Sequence, residues 1–498
     1  MAGTAQTGRA DLVLRGGTVI DGTGAPARRA DVAVSGGRIS AVGDLAATTA
    51  DREIDVAGRV VAPGFIDVHT HDDRYLFTHP EMSPKASQGV TTVVVGNCGF
   101  SLSPWKRFDK DQFPFSLWQD RPELCFATAG EFLEALERTP PAVNAAALVG
   151  HSSLRYGNMD DLSRSATDRE VAAMQADLKQ AMDEGAIGMS SGLFYPPARA
   201  ATAGEVAAVA EAMAPADGIY TAHIRDESER VLEAIDEAAG IAREAGVQLV
   251  ISHHKTAGLK NFGRTRETLP LIDRLRAQQR LNVDVYPYVA SSTMILPDMV
   301  DRANRVLITW SRDHPDVQGR DLDEIAKEMS LTRQQAAERL SPGGAVYFQL
   351  DEEDVQRVLR YDGAMIGSDG IPDDVHPHPR LWGSFARVLG HYSRDLKLFP
   401  LEEAVHRMSG LPAMVFGFAE RGVVREGACA DLVVFDPGAI GDAATFETPA
   451  RPAIGIDEVL VSGETVWRQG RATGARPGRP IRLSDTGRGK AAPTGARP

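Results

Sequence analysis

His69 and His71 stand two residues apart in VHTH. In an extended segment that spacing puts both imidazoles on one face, and Asp67 shares their parity. Two imidazoles at a strand end are a natural pair of metal ligands, although an HxH alone is weakly specific. Four more candidates follow: Cys98 in GNCG, His223 in TAHIRDE, His253 in ISHHK and Asp369 in IGSDG. Imidazole, thiolate and carboxylate together are the usual ligand set of zinc. An isolated His or Cys is more often structural. Several of them at the ends of short apolar runs reverse that prior. Cations accompany them. Lys255 lies two residues after His253 and shares its face, and Arg380 follows HPHP after Asp369. An arginine can grip a carboxylate with two parallel hydrogen bonds, whereas the usual fate of such cations is a solvated surface charge.

Strand ends must deliver these groups to one place. Eight apolar runs read as strands: 65–69, 91–95, 144–149, 187–190, 218–223, 248–253, 282–286 and 365–369. Helical patterns fall between several of them. Thr167 and Glu170 form a capping box that opens a helix, and Gly185 ends it. Eight strands with helical crossovers predict a (β/α)8 TIM barrel, an α/β fold whose active site lies at the C-terminal strand ends. A doubly wound open sheet is the alternative, and no GxGxxG follows a first strand to support it. Outside the barrel, glycine-punctuated β patterns occupy both ends of the chain, so residues 1–62 and 415–482 are expected to form one small β-sandwich domain around a barrel of 63–414. Residues from about 290 to 347 read as an inserted subdomain. The small, polar tail at 483–498 reads as disordered. The connection at 96–143 carries eight aromatics and reads either as a wall of the pocket or as a local packing cluster.

At 498 residues and 43% hydrophobic content, the chain can bury a large core. Its net charge is −14, without a basic stripe, which argues against nucleic acid and acidic membrane surfaces as partners. No stretch of about 18 apolar residues reads as a membrane span. Three cysteines are too few and odd in number for a disulfide framework, so a reducing cytoplasm is expected.

The combination resembles a known family. HTH after APGFIDV, histidines on the fifth and sixth strands and an aspartate on the eighth resemble the amidohydrolase superfamily of metal-dependent hydrolases. SQGVTTVVVGNCGFSLSP, EGAIGMSSGLFYPP, YTAHIRDE, ISHHK, IGSDG and HPHPR are similar, more closely, to the N-acyl-D-amino-acid deacylases. The resemblance covers nearly the whole chain. It implies one zinc held tightly by Cys98, His223 and His253, a second, weaker site at His69 and His71, and Asp369 as the catalytic general base and acid. It implies that Lys255, Tyr286, Ser292 and Arg380 hold the substrate carboxylate. Phe194 and Tyr347 match positions that contact the side chain of hydrophobic D-amino acids. The fourth strand reads IGMSSG and lacks the Lys or Glu that bridges two metals in many relatives; Cys98 takes that place. The expected activity is hydrolysis of a small-molecule N-acyl-D-amino acid with a hydrophobic or broad side-chain preference. An acidic substrate would need a further cation, for which Arg302 and Arg305 are candidates. The rival readings are an N-acyl-D-Glu or D-Asp deacylase, a cyclic amide hydrolase of the hydantoinase or dihydroorotase kind, and a barrel that has lost catalysis and serves in binding or assembly.

Overall fold

The computed structural model describes residues 9–107, 115 and 121–488. Eight parallel strands form a barrel: β1 (Phe65–Asp67), β2 (Val90–Val95), β3 (Asn144–Gly150), β4 (Gly188–Gly192), β5 (Ile219–His223), β6 (Gln248–Ile251), β7 (Leu281–Val285) and β8 (Ala364–Ile366). They pair in chain order from β1 to β8. Every residue of these strands is buried, as expected where helices cover one face and side chains fill the other. Helix Asp168–Glu184 shows how the crossovers are specified. Thr167 accepts the Glu170 N–H, the Glu170 carboxylate accepts the Thr167 N–H, and Gly185 ends the helix at φ 119°. The helix buries Met174, Leu178, Ala181 and Met182.

A nine-stranded sheet joins the two ends of the chain. Val60–Pro63, from the N-terminal half, pairs antiparallel with Leu432–Phe435 from the C-terminal half. Gly64 alone separates Val60–Pro63 from β1, so this sheet fixes where the first barrel strand begins. A three-stranded antiparallel sheet, Ala290–Met294, Arg305–Ser311 and Gly343–Phe348, lies between β7 and β8 in the chain and carries helices Leu322–Met329 and Arg333–Leu340.

The tail departs from expectation. Residues 483–488 are packed rather than loose: Arg488 is 8% exposed and donates to Gln248 Oε1 at 2.8 Å and to Val415 O at 3.2 Å. A long cation within a polar segment can bury its stem and find acceptors on the fold, which composition alone does not reveal. Residues 489–498 lie outside the described residues.

Candidate metal centre and carboxylate cradle

The loops after β1, β2, β5, β6 and β8 bring their polar side chains to one rim. Cys98 Sγ lies 3.3 Å from His69 Nε2, 3.5 Å from His223 Nδ1 and 3.4 Å from His253 Nε2. A tetrahedral zinc with ordinary bond lengths holds sulfur and nitrogen about 3.5 Å apart. Two groups have metal-ligand spacing: Cys98 with His223 and His253, and Cys98 with His69, His71 and Asp369. Cys98 belongs to both. Burial opposes the charged sulfur, but the surrounding imidazoles outweigh it and hold the thiol well below its usual range. A thiolate with two or three neutral or cationic imidazoles fits zinc in charge and in softness. Three of these residues have left-handed backbones: Cys98 at φ 53°, His253 at φ 35° and Asp369 at φ 50°. Such conformations are costly for residues with a Cβ and persist where the surroundings over-determine them.

Carboxylates behind the ligands set their orientation. Asp284, on β7, lies with Oδ2 3.4 Å from His69 Nδ1 and accepts the His253 N–H at 2.8 Å. Glu227, in the loop after β5, lies 2.9 Å from His253 Nδ1 and accepts from Lys255 Nζ at 2.6 Å. Each leaves Nε2 of its histidine facing the metal group. Burial opposes the Glu227 charge; Lys255, His223 and His253 outweigh it, and the carboxyl is held well below the usual range. Sequence reading missed both carboxylates, because their partners lie 26 to 215 residues away.

Asp369 faces two ways. Its Oδ1 lies 3.1 Å from His71 Nε2, and its Oδ2 lies 2.9 Å from Arg380 Nη1. Burial would raise its pKa, yet Arg380 and the imidazoles of His253, His71 and His69 dominate and keep it well below the usual carboxylate range. For His71, burial works downward, and Asp369 and Cys98 bring it up to about 9.

A cavity of about 570 Å³ opens over this group. Tyr286 lines it with Lys255 and Ser292. Lys255 Nζ lies 5.5 Å and Arg380 Cζ 4.7 Å from the Tyr286 ring centre. The buried Tyr286 hydroxyl has no hydrogen-bond partner among the described residues. Two cations flanking an unsatisfied phenol, 3% exposed, make a cradle for an anion. Phe194 lines the same cavity and stacks on His223 at 5.6 Å. Tyr195, which sequence reading passed over, packs 4.9 Å from His223 and 5.5 Å from Phe100. Phe100 is a pocket wall and also packs 5.6 Å from Phe115, which stacks on Tyr156 at 4.3 Å, so wall and packing cluster are continuous. Phe108, Phe113 and Trp118 lie outside the described residues.

Tyr347 is a correction. It is fully buried in the core of the inserted subdomain, and its hydroxyl donates to Met294 O at 2.9 Å and accepts the Leu296 N–H at 2.9 Å. Its phenol is spent on the chain that turns out of Ala290–Met294, and it does not line the cavity. Arg305 is likewise elsewhere, paired with Asp321 at 2.8 Å. Arg302 lines the cavity with its Nη1 3.7 Å from Glu229.

Comparison with known proteins agrees with this geometry. The model of the amidohydrolase family matches residues 52–314 and 276–467. A D-aminoacylase of Alcaligenes xylosoxydans xylosoxydans is 52% identical, over 94% of this chain and 97% of its own length. A solved D-aminoacylase structure, studied for its binuclear metal centre, superposes with a TM-score of 0.92 at 53% identity, covering 95% of this chain and all of that one. An N-acyl-D-glutamate deacylase from Bordetella bronchiseptica, solved with zinc and a phosphonate inhibitor, superposes with a TM-score of 0.92 at 46% identity and the same coverage.

Proposed function

The chain belongs to the amidohydrolase family, and from that premise we propose that it is a zinc-dependent deacylase, converting an N-acyl-D-amino acid and water to a D-amino acid and a carboxylic acid. The observation that carries this reading is the juxtaposition of a Cys/His/Asp metal group with Lys255, Tyr286 and Ser292 in one cavity, with Arg380 buried behind Tyr286 and Asp369. Its relatives of known activity act on N-acyl-D-amino acids, which supports the stereochemical assignment.

Cys98, His223 and His253 would hold the tight zinc, with His69, His71 and Asp369 forming the second, weaker site around the shared sulfur. Zinc bound there supplies Lewis acidity, making water a stronger acid and polarising the scissile carbonyl. The chain's own groups do the rest. Lys255, Tyr286, Ser292 and Arg380 fix the substrate carboxylate and so aim the amide at the metal group. Asp369, ionised at neutral pH, takes the proton from the attacking water and gives it to the leaving amine. Arg380 reaches both Asp369 and the cradle, so substrate binding and the base share one cation. Tyr195, its ring beside His223 and its hydroxyl 3.3 Å from Thr293 Oγ1, lines the cavity and would supply a hydroxyl donor to developing charge on the carbonyl oxygen.

Side-chain preference follows from the walls. Phe194, Met294, Met299 and Trp310 line the cavity. Its cations outside the cradle are Arg74 and Arg302, and Arg302 is already opposed by Glu229. That favours hydrophobic over acidic D-amino acids. A cyclic amide hydrolase is disfavoured by β4, where GMSSG offers no bridging Lys. Among the described residues no helix is long and apolar enough to cross a membrane; the cysteines, three in number, are few and odd for a disulfide framework, which supports a place in the reducing cytoplasm. The net charge of −14 argues against nucleic acid as a partner.

The test is a panel of N-acetyl-D- and N-acetyl-L-amino acids with methionine, leucine, phenylalanine, glutamate and aspartate side chains, assayed with zinc present. We expect turnover of the D-enantiomers, with D-methionine, D-leucine and D-phenylalanine leading. Release of L-amino acids alone, or of none, overturns the proposal.

A further inference from the structure

The barrel ladder has a gap. It runs from β1 to β8 and ends there; among the described residues those two strands share no ladder. Each is three residues long, the shortest of the eight. The seam between them is where His69, His71 and Asp369 emerge. Besides the His71–Asp369 contact, backbone groups link it directly: the Asp369 N–H donates to His69 O at 2.8 Å, Thr70 and Gly370 form an isolated bridge, and the Ser368 N–H donates to the Asp67 carboxylate at 2.8 Å. Gly367 is required here, since a Cβ would lie 2.6 Å from the His69 Cβ.

Beneath the seam lies a lysine whose presence the reaction does not explain. Lys85 is fully buried. Its Nζ donates to Asp67 Oδ2 at 2.8 Å and to Ser368 Oγ at 2.8 Å, with Asp72 Oδ2 at 3.3 Å. Asp67 and Asp72 are fully buried as well. The other oxygen of Asp67 accepts the N–H of His69 at 3.3 Å and that of Ser368. Ser368 Oγ in turn accepts the Gly370 N–H at 3.2 Å. One ammonium therefore ties the carboxylate under the first-strand histidines to the hydroxyl beside the catalytic aspartate. Desolvating a lysine is expensive, and a purely structural seam could be closed with apolar side chains at no greater cost. What a charged brace adds is a fixed register between two strand ends that the ladder leaves unfixed.

We propose that Lys85, Asp67 and Ser368 are positioning residues for Asp369: they clamp the barrel seam so that Asp369 meets the metal group and the attacking water, without touching substrate themselves. The inference rests on the deacylase reading for what Asp369 does, while the clamp itself is a property of the fold.

Three variants of the full-length holoenzyme test it. Ser368→Ala removes one link and leaves the ion pair. It should fold, keep the zinc held by Cys98, His223 and His253, and show a kcat lower by about tenfold, the loss of one hydrogen bond to a charged donor, with KM unchanged. Lys85→Met alone strands two buried carboxylates and is expected to be unstable. The double variant Lys85→Met/Asp67→Asn removes the charge and its main partner together. It should recover part of the thermal stability, Asp72 being left without its cation, but not turnover, with kcat down on the order of 10²-fold at unchanged KM. Hydrogen exchange followed by mass spectrometry should quicken in peptides spanning 65–71 and 364–371 and stay as in the wild type at 248–251. Wild-type kcat in both Ser368→Ala and the double variant, or a loss confined to KM, overturns the proposal. Should the wild-type protein cleave no N-acyl-D-amino acid, the deacylase reading fails, and the exchange measurement still decides the clamp: unchanged seam peptides refute it.

Discussion

Cys98, His223 and His253 follow strands that lie inside the barrel ladder, whereas His69, His71 and Asp369 follow the two strands at its ends. The first set inherits its geometry from hydrogen bonds on both sides of each strand. The second depends on a few links across a seam, several made by side chains. The same sulfur lies in both groups, so one candidate metal centre spans two halves with unequal backbone support. Under the proposed function, holding an ion would fall to the half inside the ladder and moving a proton to the half at the seam, where small displacements are felt most in rate.

Removing the shared atom should erase the difference. In Cys98→Ala both halves lose their common ligand. We expect zinc content to fall well below one ion per chain and kcat/KM to drop by about 10³-fold or more, since zinc supplies several kcal/mol of transition-state stabilisation. Emission spectrometry of the desalted variant measures the first quantity. Zinc retained at the wild-type level would mean that His223 and His253 find a third ligand elsewhere, and the two halves would not be joined through sulfur. Asp369→Asn should separate them. The half inside the ladder keeps its ion, while kcat falls by about 10² to 10⁴-fold through loss of the general base. A variant that lost zinc in parallel with activity would show that Asp369 serves the tight site.

Sequence legibility divided along the same line. The apolar runs placed the eight strands to within a few residues, because buried parallel strands are near-continuous in Val, Ile, Leu and Ala. Thr167, Glu170 and Gly185 announced a helix by local chemistry alone. Lys255 Nζ does lie 2.7 Å from His253 Nδ1, but β6 ends at Ile251 and His253 is left-handed at φ 35°, so strand parity does not account for it. What stayed hidden were partners joined only by closure of the barrel. Lys85 sits in a short connection, SPKASQG, with no periodicity to mark it, and its partner Ser368 is 283 residues away. Glu227 reads as one more acid in IRDESER until the fold sets it against His253. Tyr347 failed for a different reason. Its position matched, but a buried hydroxyl goes to whatever unsatisfied backbone is nearest, and here that is the Met294 to Leu296 turn.

A region that belongs to neither half separates loss of the site from loss of the fold on acidification. Glu205 is buried against His151 and Arg155, and its second oxygen accepts the Ala166 N–H at 2.8 Å. Burial pushes its carboxyl up, and His151, the Ala166 N–H and Arg155 outweigh that and lower it from 4.5 to about 2. The folded pKa lies below the unfolded one. Its contribution to stability is therefore complete above about pH 4.5 and is lost as pH falls towards 2. Glu205→Gln should destabilise the neutral protein by on the order of 3 kcal/mol, as breaking a buried pair does. The gap in melting temperature between variant and wild type should hold constant from pH 8 to 5 and narrow below about 4.5. Zinc content at neutral pH should not change, because Glu205 is not among the residues grouped around the metal site. Melting curves across pH measure the gap. A gap that persists unchanged down to about pH 2.5 would show that the carboxylate's charge contributes nothing, and that Glu205 stabilises the fold only through packing and neutral hydrogen bonds.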